Sequence, residues 1–242
     1  MIHPTAIISA DAKIGHDVSI GPFAVIGAAT IGANSVIHPH VVIADHVHIG
    51  SAVEIFPGAF LGKEPKGAGA LARQPEFEKT LKIGDGCSIG PHVVLFYDVE
   101  IGANSLLGDG ASVREKCRIG ARCIISRYVT VNYNTTIGNE TKIMDNTHVT
   151  GNATIGDRVF ISVMVGTTND NLVRAGYSDH IRGPVLEDDS VIGVGASLLP
   201  GVVVGRGATV AAGSVLTKNV EAGTLVAGVP ARFVRRIESS PS

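Results

Sequence analysis

Aliphatic residues return at every sixth position along almost the whole chain. Ile2, Ile8, Ile14, Ile20 and Ile26 are followed, after one five-residue step, by Ile31, Ile37, Ile43, Ile49, Ile55 and Leu61. The series resumes at Ile83, runs without a slip to Ile161, and returns from Leu186 to Leu216. An α-helix repeats about every 3.6 residues and a coiled coil about every 3.5, so neither sustains this spacing and the chain is a repeat array. Glycine often follows the aliphatic residue, as in Ile14-Gly15, Ile101-Gly102 and Ile155-Gly156. A sharp corner that needs positive φ or no Cβ favours it there. The fifth hexad position is small or β-branched, as at Val18, Ala24, Ser35, Ser105 and Ala111, which suits a second, more cramped inward site. Each hexad therefore predicts a short strand plus a corner, and three hexads a triangular coil of 18 residues. Stacked coils pair their strands in parallel about 4.8 Å apart. Each inward Ile, Leu or Val contributes roughly 1.5–3 kcal/mol on full burial.

A core this thin accounts for a chain that is 45% hydrophobic yet 5% aromatic, with no Trp. The sustained register over 242 residues predicts one elongated domain, 1–242. A net charge of −2 gives no nucleic-acid footprint. No run approaches about 18 apolar residues, and the first residues, MIHPTAIISADAKIG, lack the pattern of a leader, so a soluble cytoplasmic protein is expected. Cys87, Cys117 and Cys123 all occupy fifth positions and read as small buried residues, with no redox or metal role assigned.

The register breaks twice, at 62–82 and at 167–185, and insertions in a solenoid gather on a working face. The first is rich in Gly and Pro and carries Lys63, Lys66 and Arg73, cations suited to a phosphorylated substrate. The second opens with Thr168, Asn169 and Asp170 and also holds Asn171, Arg174, Tyr177, Asp179, His180 and Arg182. Residues 18 apart stack on neighbouring coils, so Thr168, Asn169 and Asp170 should lie over Thr150, Gly151 and Asn152. Asp145, Asn146 and His148 are nearby, and His148, directly before the inward Val149, should point outward. Asp and Asn at a corner also serve turns, which is the competing account of Asp145 and Asn146.

The repeat [Ile/Leu/Val]-[Gly/small]-x-x-[small]-x resembles the hexapeptide-repeat acyltransferases. That resemblance covers roughly residues 1–221 and implies an all-β fold, a left-handed parallel β-helix of about ten coils with two inserted loops and a short C-terminal tail. It also implies a homotrimer. Residues 192–236, with Ala227-Gly228-Val229-Pro230-Ala231-Arg232, resemble the coenzyme A-binding end of these enzymes. The implied co-substrate is acetyl-CoA or another acyl-CoA, with Gly166, Gly195, Ala196 and Ala212 leaving a slot and Lys218, Arg232, Arg235 and Arg236 meeting phosphates. The start of the chain through the first insertion looks like the UDP-N-acetylglucosamine acyltransferases. The Thr168-Asn169-Asp170 segment resembles that of nucleotide-linked amino-sugar N-acetyltransferases. On that resemblance Asn169 and Asp170 orient an attacking amine, and Asp145, Asn146, Lys66 and Arg73 contact the nucleotide-linked sugar. Aligning the hexads puts Gly151 and Asn152 where many members carry a His-Asp pair, which leaves either His148 as the base or an amine that attacks with no side chain as base.

Three other readings stay open from the residues alone. An O-acyltransferase would rely on His148, because a hydroxyl needs a base in the transition state. A metal-dependent hydratase on this scaffold needs clustered His ligands, whereas His92 and His148 stand about 15 Å apart at the strand spacing, so no metal is expected. A non-catalytic scaffold would bind no coenzyme A.

Overall fold

The computed structural model describes residues 1–67, 74–170 and 181–237. Among the described residues, thirty-three short strands wind into three sheets of 11, 10 and 12 strands, parallel throughout except for one antiparallel pair at the C-terminal end. The first sheet opens with Ile7–Ile8, the second with Lys13–Ile14 and the third with Ser19–Ile20, and successive hexads visit the three in turn. This is the parallel, three-faced solenoid of a left-handed β-helix, and no helix occurs among the described residues. The sheets set the coil number at about eleven, one more than the resemblance implied.

The inward ladder follows the register. Ile55, Leu61, Ile89, Leu95, Leu107 and Ile125 are fully buried, as are most of their equivalents. Fifth positions are buried beside them, and most of the polar ones share one device: the hydroxyl or thiol donates to the carbonyl 15 residues ahead. Ser35 donates to Gly50, Ser105 to Gly120, Cys123 to Gly138, Thr141 to Gly156 and Thr147 to Ser162. Cys87 and Cys117 do the same to Gly102 and Asn132. The cysteines are therefore buried hydrogen-bond donors as well as packing groups. Burial raises all three thiol pKa values, that of Cys117 to about 12.

Corners divide two demands that the sequence merged. Positive φ falls three residues after the aliphatic, at positions held by Asn34, Asn104, Asn134 and Asn146 but also by His40, Tyr128 and Met164. The glycine directly after the aliphatic is required by close approach instead. A Cβ on Gly102 would lie 2.5 Å from the backbone of Gly120 and Ala121.

Strands take more of both insertions than expected. Phe60–Lys63 and Leu81–Ile83 flank the first because Leu81 is itself a buried fifth-position residue, leaving 64–80 as the excursion. Gly166–Thr167 and Val185–Leu186 flank the second, leaving 168–184. Both leave by the corner between the first and second sheets. The shaft ends in an antiparallel pair, Thr224–Gly228 with Ala231–Arg236.

Candidate functional site

His148 lies on the outer surface of the first sheet, in strand His148–Val149, with Val149 buried beneath. Its coil neighbours are Thr130 on one side and Gly166 on the other. The Thr130 hydroxyl and His148 Nδ1 are 2.7 Å apart. A side chain on Gly166 would meet nothing within 4 Å, so the space beside the imidazole is open. Although His148 remains accessible, partial burial among its neighbours lowers its pKa from the ordinary histidine value.

The stacking expected at the second insertion is present. Asn169 Nδ2 donates to the Gly151 carbonyl at 3.1 Å, one coil below. Thr167 Oγ1 accepts from the Thr150 amide at 2.8 Å, and Thr168 Oγ1 donates to Leu198 O at 3.2 Å. The returning limb is held at the same place. The Arg182 amide donates to Asn169 O at 3.1 Å, and Asn152 Nδ2 donates to Ile181 O at 3.3 Å. Asn169 therefore fixes the mouth of the insertion with its amide nitrogen, while its amide carbonyl is the group chemically suited to accept from an amine. Asp170 follows it; Asn171, Arg174, Tyr177, Asp179 and His180 lie outside the described residues, as does Arg73.

The remaining candidates separate. Asp145 and Asn146 sit on the opposite edge of the first sheet, at its corner with the third. Asp145 accepts from the Ser126 hydroxyl and from Arg127, whose Nη2 is 2.5 Å away, and these bonds, Ser126 foremost, lower its pKa. Asn146 supplies a left-handed corner at φ 58°. Both have the turn roles that corner chemistry allowed. Lys66 is exposed and pairs with Glu64 at 3.4 Å.

Toward the C-terminal end, Gly195 and Gly213 stack on that same corner, and a Cβ on either would meet nothing within 4 Å. Ala212 is exposed, as are Lys218, Arg232 and Arg235. Ala196 is a correction: it is fully buried in the core, because it holds a fifth hexad position, and only its backbone can face a ligand. Among the described residues no group of three or more His, Cys, Asp or Glu is gathered to hold a metal ion, and no helix is long and apolar enough to cross a membrane.

The sequence reading missed Thr130 and a stack of Lys63, Phe96, Arg114 and Tyr133 below the second insertion. Phe96, Arg114, Asn132, Thr150 and Thr168 are successive 18-residue steps, so the register that placed Asn169 over Gly151 could have exposed the stack.

The family model for bacterial transferase hexapeptide repeats (six repeats) matches residues 98–132, 134–169 and 183–218. The matched segments carry the repeat of the hexapeptide transferases. The chain is 52% identical over 52 residues to a 2,3,4,5-tetrahydropyridine-2,6-dicarboxylate N-acetyltransferase of Staphylococcus aureus, a stretch covering 22% of each chain. A Clostridium perfringens protein of the same name is 46% identical over 54 residues, 22% of this chain and 23% of its own. The matched stretch thus spans less than a quarter of these relatives' length. Among solved structures, the fold matches an Arabidopsis UDP-N-acetylglucosamine acyltransferase with TM-score 0.65 and 20% identity, covering 98% of this hexapeptide-repeat chain and 74% of the other. The Moraxella catarrhalis UDP-N-acetylglucosamine O-acyltransferase gives TM-score 0.56 and 23% identity, over 97% and 74%.

Proposed function

We propose that this protein is an acyltransferase that moves an acyl group, in the simplest case acetyl, from a coenzyme A thioester to the amino group of a nucleotide-linked sugar. The observation that carries this reading is the juxtaposition of Asn169 with Gly151 on one edge of the first sheet, with His148 and the open space at Gly166 on its face. The named activities of the relatives support acyl transfer, and two of the matched structures carry UDP-N-acetylglucosamine in their names.

The amine nitrogen attacks the thioester carbonyl carbon; the C–N bond forms, the C–S bond breaks and the thiolate leaves. A neutral amine needs no base before attack, and the ammonium that results gives up its proton afterwards. Asn169 orients the amine through its carbonyl oxygen, and the Asp170 carboxylate favours the positive charge that develops on nitrogen. The open corner at Gly195, with Ala212 and Gly166, offers room for a pantetheine arm, and the exposed Lys218, Arg232 and Arg235 suit its phosphates.

O-acyl transfer is the second reading, favoured by the Thr130–His148 bond, which holds an imidazole of lowered pKa in one orientation. We also read the active form as a homotrimer, because the early outer positions of the first sheet, Ile7, Val25 and Val42, are exposed and apolar.

One set of assays tests these assignments. With acetyl-CoA and paired amino and hydroxyl acceptors, the enzyme should acylate the amine. Asn169→Ala and Asp170→Asn should each cut kcat/KM by about a hundredfold while sedimenting, like the parent, at three times 25.0 kDa. Unchanged kinetics in both variants would remove the pair from the mechanism, and loss of all turnover in His148→Ala alone would favour the hydroxyl acceptor.

A further inference from the structure

Between the two insertions, cations and rings alternate along the corner of the first and second sheets. Lys63 Nζ lies 4.8 Å from the centroid of Phe96, and the Arg114 guanidinium carbon lies 5.7 Å from the centroids of both Phe96 and Tyr133. The Tyr133 ring then backs onto Gly151, where an added Cβ would come within 2.8 Å of it. The stack thus runs from the first insertion to the coil below the one that carries Asn169.

Only part of its charge is spent internally. Elsewhere on the shaft arginines meet carboxylates on neighbouring coils, as Arg122 does Glu140 and Arg158 does Asp189. Lys63 has no carboxylate within 4.0 Å among the described residues. Arg114 gives Nε and Nη2 to the buried carboxylate of Glu115, at 3.1 and 2.9 Å, and its side chain is 28% exposed. Glu115 therefore anchors the Nε–Nη2 edge of the fork, which leaves Nη1 for another acceptor. The rings offer their faces to the cations. Such a surface suits a phosphorylated, multiply charged anion, and a guanidinium edge is well matched to phosphate oxygens.

We infer that the Lys63–Phe96–Arg114–Tyr133 stack is a diphosphate-binding site that holds the non-reacting end of the acceptor. This rests on the acyl-transfer reading only for the identity of the acceptor. Three coil steps separate Arg114 from Thr168, about 14 Å at the strand spacing. An extended nucleoside diphosphate sugar laid along the corner would bring its sugar toward Asn169.

Calorimetric titration of the full-length protein with inorganic pyrophosphate and with uridine diphosphate tests the site directly. Both probes should bind the parent protein. Lys63→Glu should weaken each by about tenfold or more, and Arg114→Lys, which keeps a cation beside Glu115, should weaken each by a few-fold with an unchanged melting temperature. In the acylation assay the same variants should raise the KM for the acceptor more than they lower kcat. The inference is overturned if neither probe binds the parent, or if both variants bind pyrophosphate as the parent does. Pyrophosphate binding that is lost in Lys63→Glu, in a protein that acylates no nucleotide-linked amino sugar, would keep the site and sink the proposed acceptor. Normal turnover of such a sugar by both variants would do the reverse.

Discussion

The Thr130–His148 bond gives one side chain a defined job. If His148 Nδ1–H donates to Thr130, Nε2 is left as an unprotonated acceptor. Burial lowers the His148 pKa, so the folded protein favours the neutral ring. The sign follows: the stability this group contributes is complete above the unfolded pKa, about 6.5, and is lost as pH falls through the lower folded value. His148→Gln should therefore flatten the fall of melting temperature below that pH. For a reaction that uses neutral His148, Thr130→Val should cost about tenfold in kcat and alter the acid limb of the pH–rate profile, while Thr130→Ser restores both. An acid limb that is identical in the parent and in Thr130→Val would mean that the hydroxyl merely fills space.

At the scale of the hexad, two kinds of glycine separate by experiment. Gly102→Ala must push a Cβ into the next coil's backbone and should cost about 2–3 kcal/mol. Gly213→Ala meets no atom within 4 Å and bears only the cost of φ +66°, about 1 kcal/mol. Thermal melts of the two variants check the order. The same distinction explains what was legible in the sequence. The inward ladder could be read because Ile and Leu recur at fixed steps and nothing else fits there. The left-handed corners were hidden because outward residues as unlike as Asn146, Tyr128 and Met164 occupy them. The first insertion was visible only as a gap. Its return depends on Phe77 stacking on Tyr97 at 6.3 Å and on the Glu78 amide bonding Asp98, contacts about 20 residues apart with no period to announce them. Asn169 over Gly151 was legible because it obeys the 18-residue step, and Ala196 was misplaced by setting the fifth-position rule aside.

Taken whole, the molecule is a stack in which each coil touches its neighbours, so stability accumulates coil by coil. Its two ends differ. The C-terminal end closes with an antiparallel pair, whereas at the other the Met1 amino group bonds Val18 O and Ile2 and Ile7 remain exposed. Opening should therefore begin at the N-terminal coils. The thiols of the fifth positions turn this into a measurement. Cys87, Cys117 and Cys123 are enclosed, hydrogen-bonded and held as thiols by their raised pKa values, so an alkylating reagent that attacks only thiolate should leave the native protein unmarked. Under rising denaturant, pulsed alkylation followed by peptide mass analysis should mark Cys87 before Cys117 and Cys123. Simultaneous marking of all three would mean that the shaft opens as one unit. Chosen by packing for their size, these sulfur atoms form a graduated scale along the shaft, against which its unwinding can be timed.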